Sequence, residues 1–97
     1  MLSTQSQQAF MESNNMSPER ILRFPEVKRL SGLSRSSIYL RINEGLWPRP
    51  IQLGRGRMVG WRELEVAAIN AARIRGATDD EIRALVRELN AGRANVA

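Results

Sequence analysis

Glycine and proline cut this chain into short segments, and that punctuation limits the fold more than any other feature. Pro25 stops any helix begun at Ser17-Pro18. Gly32 and Gly45 bracket one short segment, and Gly76 and Gly92 bracket another. Between them, Trp47-Pro48-Arg49-Pro50 forbids helix and reads as an extended connector. Glycine near the last periodic residue ends a helix, and proline at its first position starts one. Only short helices and short strands fit between these marks.

The first helix is expected from Pro25 to about Ser31, with Glu26 at its positive end. Val27 and Leu30, three apart, are expected to share its inward face. Gly32 permits a sharp turn. Ser34 then caps a second helix running to about Glu44, with Ile38 and Ile42 inward and Leu33 packed beside them. Two short helices across Gly32-Leu33 have helix-turn-helix spacing, although ordinary helical hairpins share it. Arg20-Ile21-Leu22-Arg23 is either a strand or an extended lead-in. Ile51-Gln52-Leu53 and Arg57-Met58-Val59-Gly60-Trp61 alternate around a Gly54-Arg55-Gly56 turn, the pattern of a β-hairpin. A lone hairpin is unstable in water, so it must pack on the helices. A third helix covers Arg62 to Arg75, with Val66 and Ile69 as its seam. Thr78-Asp79-Asp80-Glu81 is a capping box opening a fourth, whose Ile82, Leu85, Val86 and Leu89 form an apolar stripe.

The chain is therefore expected to be mainly α with a small β-hairpin. Residues 1–17 read as a flexible N-terminal tail, 18–76 as the domain, 77–92 as an amphipathic helix packing on the domain or a partner, and 93–97 as a tail. With about 75 to 80 residues left for a core, the fourth helix is more useful closing it than mediating dimerisation.

There is no cysteine and no histidine. Disulfides are excluded, and no metal site of the usual soft ligands is expected. No nucleophile and base can be paired, no phosphate-binding glycine loop is present, and the carboxylates cluster where helix capping explains them. Neither an enzyme nor a cofactor nor a small-molecule ligand is expected. No apolar run reaches the length of a membrane span. The net charge is +5, and its distribution matters more than its size. Ten bases and two acids lie between Arg20 and Arg62, whereas acids outnumber bases on either side. Such a block suits a polyanion, since each neutralised phosphate releases counterions.

At about 100° per residue, Ser36, Leu40 and Asn43 point away from Ile38, with Ser37 and Tyr39 on the flanks. Small polar groups and an amide suit base edges in a major groove, though a solvated helix can carry them too. Arg35 and Arg41 are better placed for phosphates. Arg55, Gly56 and Arg57 form a tip where nothing needs burial and arginine can enter a minor groove or fork onto phosphates. The alternative is a solvated hairpin whose charges discourage edge pairing. Arg23, Lys28 and Arg49 are expected on the flanks. Trp47 and Trp61 are assigned to the core rather than to base stacking.

The segments Arg20–Val27 (RILRFPEV), Gly32–Tyr39 (GLSRSSIY), Glu44-Gly45, Pro48–Ile51 (PRPI), Leu53-Gly54 and Val59–Trp61 (VGW) resemble the AlpA family. These are small phage- and prophage-associated transcriptional regulators, related to excisionases and to the DNA-binding domain of MerR-type regulators. The resemblance covers about half the chain. It implies a winged helix-turn-helix, here with an extra C-terminal helix. The recognition helix, 34–44, would enter the major groove of double-stranded DNA, with the wing, 51–61, on the flanking backbone. It implies transcriptional control of a mobile element, in the cytoplasm of a prokaryote and at the nucleoid. An architectural, DNA-bending role in excision uses the same surface. A protein-interaction module, such as an antitoxin-like or anti-repressor partner, would use the Ile82–Leu89 face instead. A homodimer or a cooperative array on DNA is compatible with each. The chain departs from the family's pattern at Leu40, where members often carry a basic residue, and at Gln52, where lysine is common. Leu40 is open to a thymine methyl or to a partner protein.

Overall fold

The computed structural model describes residues 19–96, so the expected tail at 1–17 lies outside the described residues. Strand β1 (Ile21–Arg23) runs directly into helix α1 (Phe24–Ser31), which starts one residue before the expected proline. Helix α1 buries Phe24, Val27 and Ser31, an i, i+3, i+7 stripe. Leu30 does not join it and is 51% exposed. At about 100° per residue it falls beyond the edge of the stripe that Phe24 and Ser31 centre. Gly32, at φ 72°, closes the helix in the left-handed region, and its N–H donates to the Lys28 carbonyl at 2.9 Å.

Helix α2 (Arg35–Asn43) follows a three-residue turn. Its cap is Ser34, whose hydroxyl accepts from the Ser37 N–H at 3.2 Å. Ile38 is fully buried, and Leu33 and Ile42 pack half-buried against the core. Strands β2 (Ile51–Gln52) and β3 (Val59–Arg62) form the expected hairpin, and β1 pairs with the other edge of β3. The result is a three-stranded antiparallel sheet, in which Leu22 faces Trp61 and Ile51 faces Gly60. Gly60 is the crowded point. A Cβ there would lie 2.7 Å from Ile21 Cγ2 and 2.8 Å from the Leu22 carbonyl oxygen, so a side chain does not fit.

Helix α3 (Glu63–Ile74) and helix α4 (Asp79–Gly92) complete the domain. Thr78 and Glu81 form the expected capping box, each side chain accepting from the other's backbone N–H. Ile82 and Val86 enter the core, and Leu85 and Leu89 pack against it. The face on which a protein-interaction reading would rest is thus turned inward. Trp47 and Trp61 are both buried, and the Trp61 indole N–H donates to the Pro48 carbonyl at 2.8 Å. The chain continues past α4 into a 3-10 turn, Arg93–Asn95. Arg93, assigned above to a terminal tail, returns to the domain and pairs with the buried Glu65. The architecture is a winged helix-turn-helix with a fourth helix folded onto it. Among the described residues, no helix is long and apolar enough to cross a membrane.

Candidate nucleic-acid interface

Helix α2 has an inner face set by Ile38 and an outer one set by Ser36, Leu40 and Asn43, all exposed. Leu40 is 59% exposed, the most open side chain among the larger apolar residues of the helix-turn-helix. Tyr39 flanks the stripe and is also exposed, while Ser37 is half-buried. The Ser34 hydroxyl lies 3.3 Å from the Ser36 hydroxyl and donates to that of Ser37 at 3.0 Å. The first turn therefore presents a small hydroxyl cluster. The two arginines lie off the stripe. The Arg35 guanidinium rests over the Phe24 ring, 4.4 Å from its centroid, a cation–π contact that holds it toward α1. Phe24 is itself fixed by an edge-on contact with Trp61 at 5.0 Å and a tilted one with Tyr39 at 5.5 Å. Arg41 is half-buried and shares a shallow recess of about 300 Å³ with Leu40, Glu44 and Asp79.

The wing is a four-residue loop, Gly54 to Arg57, closed by the Leu53 N–H donating to the Met58 carbonyl at 2.8 Å. Gly56 takes φ 74°, a left-handed conformation that glycine adopts without strain. Gln52 braces the loop from inside. Its side-chain amide donates to the carbonyls of Gly54 and Gly56, the latter at 2.8 Å. The departure at this position thus has a local job, holding the tip on which the exposed Arg55 and Arg57 stand.

The ten bases between Arg20 and Arg62 divide into two groups. Arg20 pairs with Glu63 at 2.9 Å and with Glu26 at 3.4 Å. Arg62 forks onto Glu19 at 2.9 and 2.6 Å and approaches Glu65. Its hydrogen bond holds the Glu19 carboxyl below its ordinary value of 4.5 and raises the Arg62 guanidinium in turn. These two cations are neutralised within the scaffold. The other eight, Arg23, Lys28, Arg29, Arg35, Arg41, Arg49, Arg55 and Arg57, have no carboxylate partner among the described residues. Seven of the eight are the cations nominated from sequence. The eighth is Arg29, exposed beside Lys28 on α1 and outside its inward stripe.

Sequence reasoning also missed how the surface is held. The C-terminal carbonyls of a helix have no internal partners. Here α3 supplies them for α1: Asn70 donates to the Leu30 carbonyl at 2.9 Å and Arg73 to that of Ser31 at 3.0 Å. Helix α4 does the same for α2, with Arg83 donating to the Glu44 carbonyl at 2.9 Å. The connector is clamped at Arg49, whose N–H donates to Asn90 at 3.2 Å and whose carbonyl accepts from Arg93 at 2.7 Å. The Arg49 side chain remains exposed.

Comparison with known proteins finds relatives over the same segment. The family model of the prophage CP4-57 regulatory protein (AlpA) matches residues 20–72, from the start of β1 almost to the end of α3. Over 62 residues the chain is 48% identical to the uncharacterized protein ORF88 of Enterobacteria phage P4, covering 64% of this chain and 69% of that protein. No solved structure matches the chain.

Proposed function

The chain belongs to the AlpA family of prophage regulatory proteins, and on that premise we propose that it is a sequence-specific, double-stranded-DNA-binding transcriptional regulator of a phage, prophage or related element. In this reading α2 enters the major groove, with Ser36, Ser37, Tyr39, Leu40 and Asn43 toward base edges. Arg35 and Arg41 lie at its margins. The wing tip, Arg55-Gly56-Arg57, lies on the flanking backbone or in the adjacent minor groove, with Arg23, Lys28 and Arg49 on neighbouring phosphates. No metal, cofactor or small molecule takes part. Such a protein acts at the nucleoid of a prokaryotic host.

One observation carries the proposal: of the eleven cations without a carboxylate partner among the described residues, eight lie between Arg23 and Arg57, on β1, the helix-turn-helix, the connector and the wing, and only Arg73, Arg75 and Arg87 lie on or at the end of the last two helices, while Arg20 and Arg62 are paired with carboxylates of the domain itself. Phosphates are the natural counter-charge for such a set. The exposed polar stripe on α2 supports base reading beside it.

The test is a salt titration of duplex binding, followed by fluorescence anisotropy. Each lost phosphate contact lowers the slope of log affinity against log salt by about 0.9. Arg55→Ala and Arg57→Ala are expected to weaken binding to all duplexes and to flatten that slope. Arg20→Ala, which removes a cation already paired with Glu26 and Glu63, is expected to leave it unchanged. Wild-type slopes in both wing variants would remove the wing from the interface.

A further inference from the structure

Resting on that reading, we propose that the outer stripe of α2 reads A·T base pairs, with Leu40 packed on a thymine C5-methyl and Asn43 on an adenine. The first ground is Leu40 itself. It stands 59% exposed between two polar residues of the stripe, while the core of the domain is filled by other side chains. Thymine is the base that offers an apolar group in the major groove. The second ground is its neighbour. Asn43 lies three residues on, exposed on the same face. A side-chain amide matches the N6 donor and N7 acceptor of adenine in a bidentate pair. Three residues of helix advance about 4.5 Å, close to the roughly 3.4 Å between stacked base pairs. A helix lying along the groove therefore sets the two side chains over neighbouring pairs.

The third ground is what the stripe lacks. Guanine is most often read by an arginine or lysine forked onto O6 and N7. Of the two arginines of α2, Arg35 is held over the Phe24 ring, and Arg41 lies half-buried to one side of the stripe, more than about 90° around the helix from both Ser36 and Asn43. No guanidinium stands among Ser36, Leu40 and Asn43. The chemistry presented to the groove is a hydroxyl, a branched alkyl group and an amide, which suits A·T and leaves G·C without its strongest partner.

The experiment uses the full chain. Duplexes are selected from a random pool at one fixed salt concentration, and the selected sites are resynthesised with deoxyuridine replacing each thymidine in turn. The substitution removes the methyl group and leaves the base pairing intact. The selected sites are expected to share consecutive A·T pairs. Deoxyuridine at one of them is expected to weaken wild-type binding about fourfold, the effect of one buried methyl-sized group. Leu40→Ala should bind the thymidine and deoxyuridine duplexes equally. Asn43→Ala should relax the adenine preference and keep the thymidine-to-deoxyuridine ratio. Leu40 is exposed, so its replacement does not threaten the fold. Selected sites to which the wild type binds with no response to deoxyuridine would overturn this inference and leave DNA binding standing. So would a Leu40→Ala variant that keeps the wild-type ratio, whether or not it loses self-association or a protein partner. Failure to enrich any site would overturn the parent reading as well.

Discussion

Arg93→Ala tests the architecture hardest, because composition alone places this residue in a terminal tail. Glu65 sits in the first turn of α3 with its side chain fully buried. Arg93 forks onto it, with Nε and one terminal nitrogen each 2.7 Å from a carboxylate oxygen, and is itself 19% exposed. Without Arg93 the carboxylate keeps the Arg62 backbone N–H at 3.3 Å and the Arg62 guanidinium at 4.0 Å. Breaking one side of a buried ion pair costs about 3–5 kcal/mol. The residual help from Arg62 favours the lower end, about 3 kcal/mol. Loss of the bond to the Arg49 carbonyl adds about 1 kcal/mol. For a domain of this size each kcal/mol moves Tm by about 4–8 °C, so a loss of about 4 kcal/mol should lower the melting point by at least about 16 °C. Thermal melts followed by circular dichroism, with urea unfolding to check that the m-value holds, measure this. Arg93→Lys keeps the charge but not the fork and should fall in between. Adding Glu65→Gln to Arg93→Ala removes the stranded charge and should recover part of the loss. A loss below about 0.5 kcal/mol for Arg93→Ala, the level of an ordinary surface change, would refute the buried pair.

Two further outcomes are expected. Gly60→Ala forces a methyl group against the Leu22 carbonyl at 2.8 Å, a backbone atom that cannot swing aside, and should cost about 1–3 kcal/mol by urea unfolding; a neutral result would contradict the pairing of β1 with β3. The Glu81 carboxyl is held below 4.5 by the Thr78 backbone N–H it accepts, and Glu19 is held below it by Arg62. Both carboxylates thus contribute stability that is present above pH 4.5 and is lost as pH falls through their lower folded values. Unfolding midpoints measured downward through pH 4.5 should decline less steeply in Glu81→Gln than in the wild type, and parallel curves would dissociate Glu81 from the cap.

The features readable from sequence are those whose chemistry is local. Gly32, Ser34, Gly76 and the Thr78–Glu81 box lie where they are expected, because a cap is satisfied within a few residues of itself. The outer face of α2 follows from helical spacing once Ile38 is taken as inward. What escaped depends on partners far along the chain. The choice between strand and lead-in, open from sequence, falls to a strand at Ile21–Arg23 because Leu22 finds Trp61 across the sheet. Leu30 turns outward because Ser31, a polar residue that periodicity discounts, occupies the inward stripe. Its hydroxyl accepts from the Leu33 N–H at 3.1 Å, which makes that burial tolerable. Glu65 looks like a surface acid until Arg93, 28 positions later, supplies its counter-charge.

The fourth helix shows why those distant partners matter for binding. Read as an appendage, it would stabilise the domain by burying Ile82 and Val86 and do nothing more. However, its polar side chains, and Arg93 just past its end, bond to the backbone of the surface proposed to meet DNA. Arg83 fixes the end of α2, Asn90 fixes the connector at Arg49, and Arg93 ties that same residue to the buried Glu65. Gln52 does the corresponding work inside the wing. Each bond orders backbone before any ligand arrives, so less ordering entropy is lost on association. Arg73, Arg83 and Arg93 spend their guanidinium groups on these backbone bonds, and several of the cations without a carboxylate partner among the described residues, Arg49, Arg55 and Arg57 among them, stand on backbone that such bonds hold. In a chain with no disulfide, some arginines thus serve as struts for the backbone while others keep their charge for a ligand.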